Sequence, residues 1–250
     1  MSEHSLACDC GVEVTAASLD EHVAAVTAHF AGTHPDLGLT ETQLRNFLER
    51  RPHLTGPTER IDEIGTVEIV PVDATRVDDV LAFFDHDAFV GQPGWASCYC
   101  MAHHVSGGDT GEAWGRRTWQ ENRAELAERI RSGRTTGSVA YADGRVVAWC
   151  NASARSEFPE ATIGDGDGDV GFVACFAIAP SHRGHGLARR LLEGSCDALA
   201  AAGKEAVEAR PVTDPESAAS AYRGPLDLYL GSGFHQVGDG SEVTVRRLLR

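Results

Sequence analysis

Positive charge is scarce in this chain. Its 250 residues include 22 lysines and arginines against 37 aspartates and glutamates, which gives a formal net charge of −15 at pH 7, and Lys204 is the only lysine. Proteins that bind nucleic acid by neutralising its phosphates need the opposite balance. The composition therefore predicts that nucleic acid is not a partner. It suits a soluble enzyme, and an acidic surface would suit a basic acceptor.

Long apolar runs are missing as well. No run approaches the roughly eighteen apolar residues of a membrane-spanning helix, and the N-terminus lacks the basic and then apolar start of a secretory signal. The sequence therefore predicts a cytoplasmic protein without a membrane partner. Its seven cysteines should then be mostly reduced. Cys150, Cys175 and Cys196 lie in apolar segments and are expected in the core.

Composition divides the chain into a small and a large part. We predict a Cys/His helical module over residues 1–50, a linker with prolines over 51–61 and a larger domain over 62–250. In the module, apolar residues at helical spacing predict one helix that ends at Gly32 and a second that begins near Thr40.

The module carries a pattern of metal ligands. Cys8 and Cys10 are separated by one residue, and His29 and His34 follow as a second pair. The histidine spacing is typical of Cys2His2 zinc sites, whereas the cysteine spacing is tighter than usual. Free thiols with surface histidines are one alternative, and replacement of His29 by His22 is another. The Cys-x-Cys-Gly start and helical histidine pair also resemble small uncharacterised predicted metal-binding proteins. From the histidine spacing we predict zinc as the metal.

The larger domain is predicted to contain both strands and helices. The patterns indicate a strand at 66–72, a helix at 74–89 and, after an irregular loop, one charged helix at 112–131. The Asp143-Gly144 pair predicts the turn of a hairpin. With the later segments, the predicted order is β-α-α-β-β-β-α-β-α-β.

The segment from Val170 to Leu192 carries the strongest functional signal. An apolar strand ends at Pro180, a turn with Gly184 and Gly186 follows, and an amphipathic helix comes next. The first N–H groups of a helix lack partners within it, and the helix dipole favours negative charge there. Glycine lets the backbone approach a bulky anion. The segment therefore predicts a phosphate-binding turn, with the spacing of neither a P-loop nor a Rossmann turn.

The same turn spells a family motif. It reads R-x-x-G-x-A from Arg183 to Ala188, behind the Ile-x-Pro of residues 178–180, and resembles motif A of the GCN5-related N-acetyltransferase (GNAT) family. With the element order and a Tyr-x-x-x-Gly-Phe signature that starts at Tyr229, the resemblance covers about residues 62–250. It implies an α/β (α+β) fold, namely the GNAT acyl-CoA N-acyltransferase fold with a mixed central sheet.

The resemblance also implies an activity. The enzyme would transfer acetyl from acetyl-CoA to a primary amine, which attacks the thioester directly in a ternary complex. Its partners would be acetyl-CoA and an amine acceptor that the sequence does not identify, and a homodimer would match a state common in the family. Two alternatives stay open: a non-catalytic acyl-CoA-binding sensor, and an enzyme whose N-terminal module is a zinc-dependent protein-interaction element.

Cofactor binding would fall to the end of the strand and to the turn. By resemblance, the strand end pairs with the pantetheine arm, and the backbone amides of the turn bind the diphosphate of acetyl-CoA. The Arg183 guanidinium would add charge there. The residues concerned are Phe176, Ala177, Ile178, Arg183, Gly184, His185, Gly186, Leu187 and Ala188.

Two catalytic groups are expected. Tyr229 stands where the family has a tyrosine that protonates the leaving thiolate, and a phenol with a pKa of about 10 stays protonated at neutral pH. The family's asparagine seven residues before it is replaced by Tyr222, which we assign to substrate binding. Asp169 is the expected base, since it lies nearest the strand in an acidic loop. The other candidates in that loop, which as a whole could simply be solvated, are Glu157, Glu160, Asp165 and Asp167.

A loop rich in cysteine, histidine and tryptophan lies where the family places an acceptor-binding segment. We predict that Trp95, Cys98 and Cys100 line the substrate pocket and that a thiol there is reactive. Packing is one alternative. A metal site with His103 and His104 is another, although four ligands so close in sequence cannot easily reach one ion.

Overall fold

The computed structural model of the chain consists of a small N-terminal part and a larger part built on a sheet. It describes residues 4–108, 111–161, 169–214, 220–237 and 242–249. Asp165 and Asp167, two of the candidate bases, lie outside the described residues. No helix within the described ranges is both long enough and apolar enough to cross a bilayer.

The N-terminal part is a hairpin packed on two helices. Its elements are β1 (His4–Ala7), β2 (Glu13–Ala16), α1 (Leu19–Thr33) and α2 (Glu41–Arg50). The sequence analysis did not predict the hairpin, because strands this short give no clear period-two pattern. The helix expected to end at Gly32 continues to Thr33, since the His34 N–H still bonds to the Phe30 carbonyl. The buried core consists of Leu6, Val23, Val26, Leu44 and Leu48.

The larger part is a mixed sheet, as the family resemblance implies. Its strands are β3 (Val67–Pro71), β4 (Ser138–Ala142), β5 (Arg145–Ala154), β6 (Val170–Ile178), β7 (Ala206–Ala209), β8 (His235–Val237) and β9 (Thr244–Leu248). In the described part of the chain they follow the order β3-β4-β5-β6-β7-β9-β8, and β6–β7 is the one parallel pair. The Asp143-Gly144 turn forms as predicted, with positive φ at both residues. The prediction lacked β8.

Helices cover both faces of the sheet. They are α3 (Val77–His86), α4 (Glu112–Gly115), α5 (Trp119–Arg131), α6 (Leu187–Ala201) and α7 (Leu226–Leu230). α6 packs on one face, and α3 with α5 covers the other around the fully buried Trp149. The single helix predicted at 112–131 is in fact two, because Thr118 and Glu121 form a capping box that starts a new helix.

α2 is fixed to the larger part by a buried arginine. The Arg50 guanidinium donates to the carbonyl oxygens of Phe84 at 3.3 Å and Asp85 at 2.7 Å. It also lies 5.0 Å from the centroid of the Trp119 ring. The N-terminal part therefore packs directly against the larger part. The domain bounds of 1–50, 51–61 and 62–250 stay a prediction.

Candidate functional site

The end of β6 has a free edge. β6 pairs with β7 over residues 170–173, whereas on its other side it stays paired with β5 as far as Ile178. The Ala179 N–H bonds to the Val147 carbonyl. Because ladder bonds alternate along an antiparallel strand, Phe176 and Ile178 direct their backbone groups to the open side. An extended ligand with amide groups could bind there as an additional strand.

A glycine turn joins β6 to α6. Gly184 and Gly186 have φ of +81° and +73°, the left-handed region that favours glycine. Gly186 is the N-cap of α6, and no side chain caps this helix. Within the described residues, the amides of 184–188 donate to no other protein atom. They are the free N–H groups that the sequence analysis expected at an anion-binding turn.

Two arginines lie at this turn. Arg183 donates from Nε to the Ile178 carbonyl at 3.1 Å, and burial lowers the pKa of its guanidinium. Arg60 belongs to the segment predicted as a linker, and a methyl group at Gly184 would lie 3.0 Å from its guanidinium carbon. The next residue, Ile61, is bonded through its carbonyl to the His185 ring at 2.9 Å. Two cations are thus held beside a cluster of unbonded amides.

A cavity of about 240 Å³ runs along the free edge of β6 to the turn. We call it the edge cavity. It brings the predicted cofactor residues together in two groups. Those that line it are Phe176, Ala177, Ile178, Arg183 and Ala188. Those that form the adjoining turn are Gly184, His185, Gly186 and Leu187.

A second cavity, of about 300 Å³, shares Phe176 and Ala177 with the first. We call it the central cavity. The Tyr222 ring packs against Trp95, with centroids 5.5 Å apart, and against His103 at 5.7 Å. All four residues predicted to bind substrate line this cavity, namely Trp95, Cys98, Cys100 and Tyr222.

The sequence around these cavities matches a known family. Residues 101–223, which include β4 to β7, α6 and the glycine turn, match the model of the acetyltransferase (GNAT) family. This chain carries a GNAT acetyltransferase domain. The resemblance drawn from the R-x-x-G-x-A motif is therefore confirmed, and so is the predicted fold with its mixed sheet.

Several solved structures are similar to the chain. A GCN5-related N-acetyltransferase from Kribbella flavida is 18% identical, with 73% of this chain and 98% of that chain covered and a TM-score of 0.47. The yncA acetyltransferase from Salmonella typhimurium, solved with its cofactor acetyl-CoA, is 18% identical, with 74% of this chain and 94% of that chain covered and a TM-score of 0.44. The PaiA N-acetyltransferase from Thermoplasma acidophilum, solved in complex with coenzyme A, is 13% identical, with 73% of this chain and 99% of that chain covered and a TM-score of 0.43. No curated protein gave a significant match.

The cysteine-rich loop of the GNAT domain is held in an unusual conformation. Tyr99 and Cys100 both have positive φ, of +47° and +56°, a region that non-glycine residues rarely adopt. The Tyr99 hydroxyl donates to Asp85 at 2.6 Å, and the Asn151 amide donates to the Cys100 carbonyl at 3.2 Å. Such a backbone persists where its surroundings fix it. Here it turns Cys98 and Cys100 toward the central cavity.

Two side chains in this loop, those of Cys100 and His104, have pKa values shifted toward their uncharged forms. The Cys100 thiol lies 2.9 Å from the Cys175 thiol, and this contact together with burial raises the pKa of Cys100. The His104 ring donates from Nδ1 to the Glu157 carbonyl at 2.8 Å, and burial lowers its pKa to about 3. The contact with Cys175 and burial both favour the protonated thiol of Cys100, so the prediction of a reactive thiol is better suited to Cys98. Among the described residues, these side chains form no metal cluster either.

The two predicted catalytic residues of the GNAT domain line neither of these cavities. Tyr229 is fully buried, its hydroxyl donates to the Arg223 carbonyl at 2.7 Å, and burial raises its pKa. Asp169 is exposed just before the start of β6. An extended strand places it roughly 23 Å from Phe176. Both assignments stay predictions, and the geometry favours groups that face the central cavity.

Sequence reasoning did not assign four titratable residues to the central cavity, namely His103, Arg210, Arg223 and Glu242. His103 lines it beside Tyr222, and its place in the cysteine-rich loop was the one available signal. Arg210, Arg223 and Glu242 also line it, and Glu242 pairs with Arg223 at 2.5 Å and Arg210 at 3.4 Å. These three come from distant segments that only the fold brings together, so no local pattern joins them.

The predicted metal ligands converge at the N-terminus. The ligand atoms of Cys8, Cys10, His29 and His34 all lie within 4.8 Å of one another. Cys8 Sγ is 3.3 Å from His34 Nε2, and Cys10 Sγ is 3.5 Å from His29 Nε2. Gly11, with a φ of +88°, closes the turn between the cysteines and β2. A tetrahedral zinc ion separates its sulfur and nitrogen ligands by about 3.5 Å, so the donor set fits.

The surroundings of this cluster also suit a metal. The Val12 N–H, with His34 and Cys8, lowers the pKa of Cys10 to about 6, which favours the thiolate that binds metals. His22, the alternative ligand, is buried elsewhere with its Nε2 3.1 Å from the Val14 carbonyl. Within the described residues, His22 is therefore outside the cluster.

Proposed function

We propose that this chain transfers the acetyl group of acetyl-CoA to a primary amine, which attacks the thioester directly in a ternary complex. The observation that best supports this is the meeting of the two cavities at Phe176 and Ala177. The edge cavity ends at a turn of unbonded amides, and the central cavity is lined by polar and aromatic side chains. An amine in the central cavity would thus lie next to a thioester bound along the β6 edge.

The turn and the β6 edge would hold the cofactor. The amides of residues 184–188 donate to its diphosphate, and Arg183 and Arg60 supply positive charge beside them. The outward-facing backbone groups of Phe176 and Ile178 pair with the amides of the pantetheine arm, as an additional strand would. An outward N–H at this edge also polarises the thioester carbonyl.

His103 and Tyr222 would move the protons. The attacking amine must lose a proton, and the departing thiolate must gain one. The His103 imidazole accepts the amine proton and passes it to solvent, while the Tyr222 phenol gives its proton to the sulfur and regains one from solvent. Tyr229 would protonate the thiolate only if its hydroxyl first broke its hydrogen bond to the Arg223 carbonyl.

The test measures free thiol released from acetyl-CoA in the presence of a panel of primary amines, amino acids and peptides with free N-termini. We expect amine-dependent release and an acetylated amine in the mass spectrum. His103→Gln should lower kcat by about 10²-fold or more without changing the affinity for coenzyme A measured by calorimetry, and the exposed His53→Gln should match the wild type. No amine-dependent release with any acceptor would contradict the proposal.

A second candidate is an acyl-CoA sensor that binds without turnover. The buried hydroxyl of Tyr229, which is already bonded to Arg223, favours it, because the family's expected acid then does not reach the cofactor. Calorimetric binding of acetyl-CoA together with no thiol release across the whole panel would support this candidate.

We also propose that Cys8, Cys10, His29 and His34 bind one zinc ion. Four protein ligands complete a tetrahedral site, so this zinc would be structural rather than catalytic. It would join the hairpin end of the module to α1, and a module with so small a core would gain much of its stability from it. Metal analysis of the purified chain should find about one zinc per molecule, and Cys10→Ser should lose it.

A further inference from the structure

A third cavity, of about 410 Å³, lies between the N-terminal part and the cysteine-rich loop of the GNAT domain. We call it the module groove. The described residues that line it include no charged side chain, so the groove suits an uncharged apolar group. Its main apolar residues are Phe30, Leu39 and Phe47 from the N-terminal part and Trp95, Ala102 and Trp114 from the GNAT domain.

Hydrogen bonds beside the groove fix its width. Thr40, next to Leu39, donates its hydroxyl to the carbonyl of Gly115, next to Trp114, at 2.6 Å. Further along α2, the Asn46 amide donates to a backbone carbonyl in the segment before α5 at 2.8 Å. The two walls are therefore bonded to each other, and the groove is a built feature of the fold.

The groove continues into the site where the reaction is proposed. Cys98 and Ala102 line both the module groove and the central cavity. Trp95 lines these two and the edge cavity as well, and 38% of its surface is exposed. The indole of Trp95 is thus the wall at which all three spaces meet.

We infer that the module groove receives an apolar part of the acceptor, so that the substrate is a primary amine carrying an uncharged aliphatic or aromatic group. This rests on the proposed acetyl transfer to an amine. The amine would lie in the central cavity near Phe176, and its apolar group would pass Trp95 into the groove between α2 and the loop. The N-terminal part would then be one wall of the acceptor site.

The uncharged lining of the module groove among the described residues favours the acceptor over the cofactor as the molecule that occupies it. The cofactor carries phosphates, and the unbonded amides and arginines that suit them lie along the edge cavity. A charged group would lose its hydration in the module groove without gaining a charged partner among the described lining residues. By contrast, one amine with an apolar tail can occupy the central cavity and the module groove at the same time, because Trp95 and Cys98 line both spaces.

The test compares unbranched primary amines from ethylamine to octylamine, and phenethylamine, at saturating acetyl-CoA. For the wild-type chain, kcat/KM should rise by about two- to fourfold with each methylene that enters the groove. Leu39→Asp places a charge in the groove at a side chain that is already 41% exposed, and should flatten this rise. Leu37→Asp is the matched control, because Leu37 is 54% exposed and lies outside the groove lining. Leu37→Asp and the wild type should give the same kcat/KM with every amine, ethylamine included.

A binding measurement separates this inference from the proposed activity. Tryptophan fluorescence should follow hexylamine binding in the presence of coenzyme A, since Trp95 and Trp114 line the groove. If no thiol is released but binding occurs and depends on Leu39, the proposed activity fails and the groove still binds apolar amines. If thiol is released but kcat/KM is flat in the wild type, or Leu39→Asp and Leu37→Asp behave alike, the inference is overturned and the activity stands.

Discussion

Arg60 lies in a segment that composition marks as a linker, yet its guanidinium packs against Gly184 in the glycine turn. The neighbouring Ile61 is bonded to His185 of the same turn, which holds the segment in place. A cation that is fixed beside free amides should contribute to diphosphate binding. We therefore expect Arg60→Gln to raise the KM for acetyl-CoA by roughly three- to tenfold, because an exposed contact is screened by solvent.

Steady-state kinetics against acetyl-CoA concentration measure this effect. Arg116→Gln makes the same charge change at an exposed arginine of the segment between α4 and α5 that does not line the edge cavity, and should leave KM unchanged. An acetyl thioester that lacks the phosphates should be used equally by all three proteins. Equal sensitivity to Arg60→Gln with that thioester would show that Arg60 acts on folding rather than on the phosphates.

Two tyrosines compete for the role of acid, and their environments differ. Tyr222 lines the central cavity, whereas Tyr229 is buried with its hydroxyl bonded to Arg223. We expect Tyr222→Phe to lower kcat at least tenfold with unchanged calorimetric affinity for coenzyme A. Tyr229→Phe should instead lower the free energy of unfolding by about 1–3 kcal/mol, because the Arg223 carbonyl loses its donor. The reverse outcome, with kcat lost and the thermal midpoint kept in Tyr229→Phe, would restore the family-based assignment.

At the scale of elements, two adjacent arginines at the C-terminal end of α2 lie in different surroundings, and of these two only Arg50 bonds α2 to the larger part. Arg50 is 2% exposed and donates to two backbone carbonyls, while Arg51 is exposed and donates to the Ser5 carbonyl at 3.1 Å. Arg50→Ala should therefore lower the free energy of unfolding by about 2–4 kcal/mol, and Arg51→Ala by less than about 1 kcal/mol. Urea unfolding of both variants measures the difference. Equal losses would mean that α2 is held by its apolar face alone.

Elements with a strong local signal could be predicted from the sequence. β6, the glycine turn and α6 combine an apolar run, positive-φ glycines and a helical pattern, and all three formed where expected. The break before α5 was not predicted, because it depends on the reciprocal hydrogen bonds of Thr118 and Glu121. The run of charged residues around them is also typical of one continuous helix. Glu242 and Arg223 meet through the sheet order rather than through any spacing. Local chemistry thus predicted the glycine turn and its flanking elements, whereas the lining of the central cavity depends on contacts between distant segments.

At the scale of the whole molecule, the N-terminal part carries the Cys/His cluster and is also bonded to the GNAT domain. α2 is bonded to it directly through Thr40, Asn46 and Arg50. The Cys/His cluster joins the turn between β1 and β2 to α1, and the centroid of the His34 ring lies 5.4 Å from that of the Phe30 ring. Phe30 of α1 lines the module groove together with residues of α2. The cluster should therefore affect the acceptor site through α1, without affecting the glycine turn.

Removal of the proposed zinc should accordingly separate acceptor selectivity from cofactor binding. Treatment with a chelator should lower the thermal midpoint by about 5 °C or more, since a ligand that binds only the folded state is lost. The calorimetric affinity for coenzyme A should stay the same, while the rise of kcat/KM with amine length becomes shallower because Phe30 is no longer held. His4→Ala, a module histidine outside the cluster, should keep its metal and the full rise. A chelated protein with an unchanged midpoint would mean that the four ligands stabilise the module without a metal.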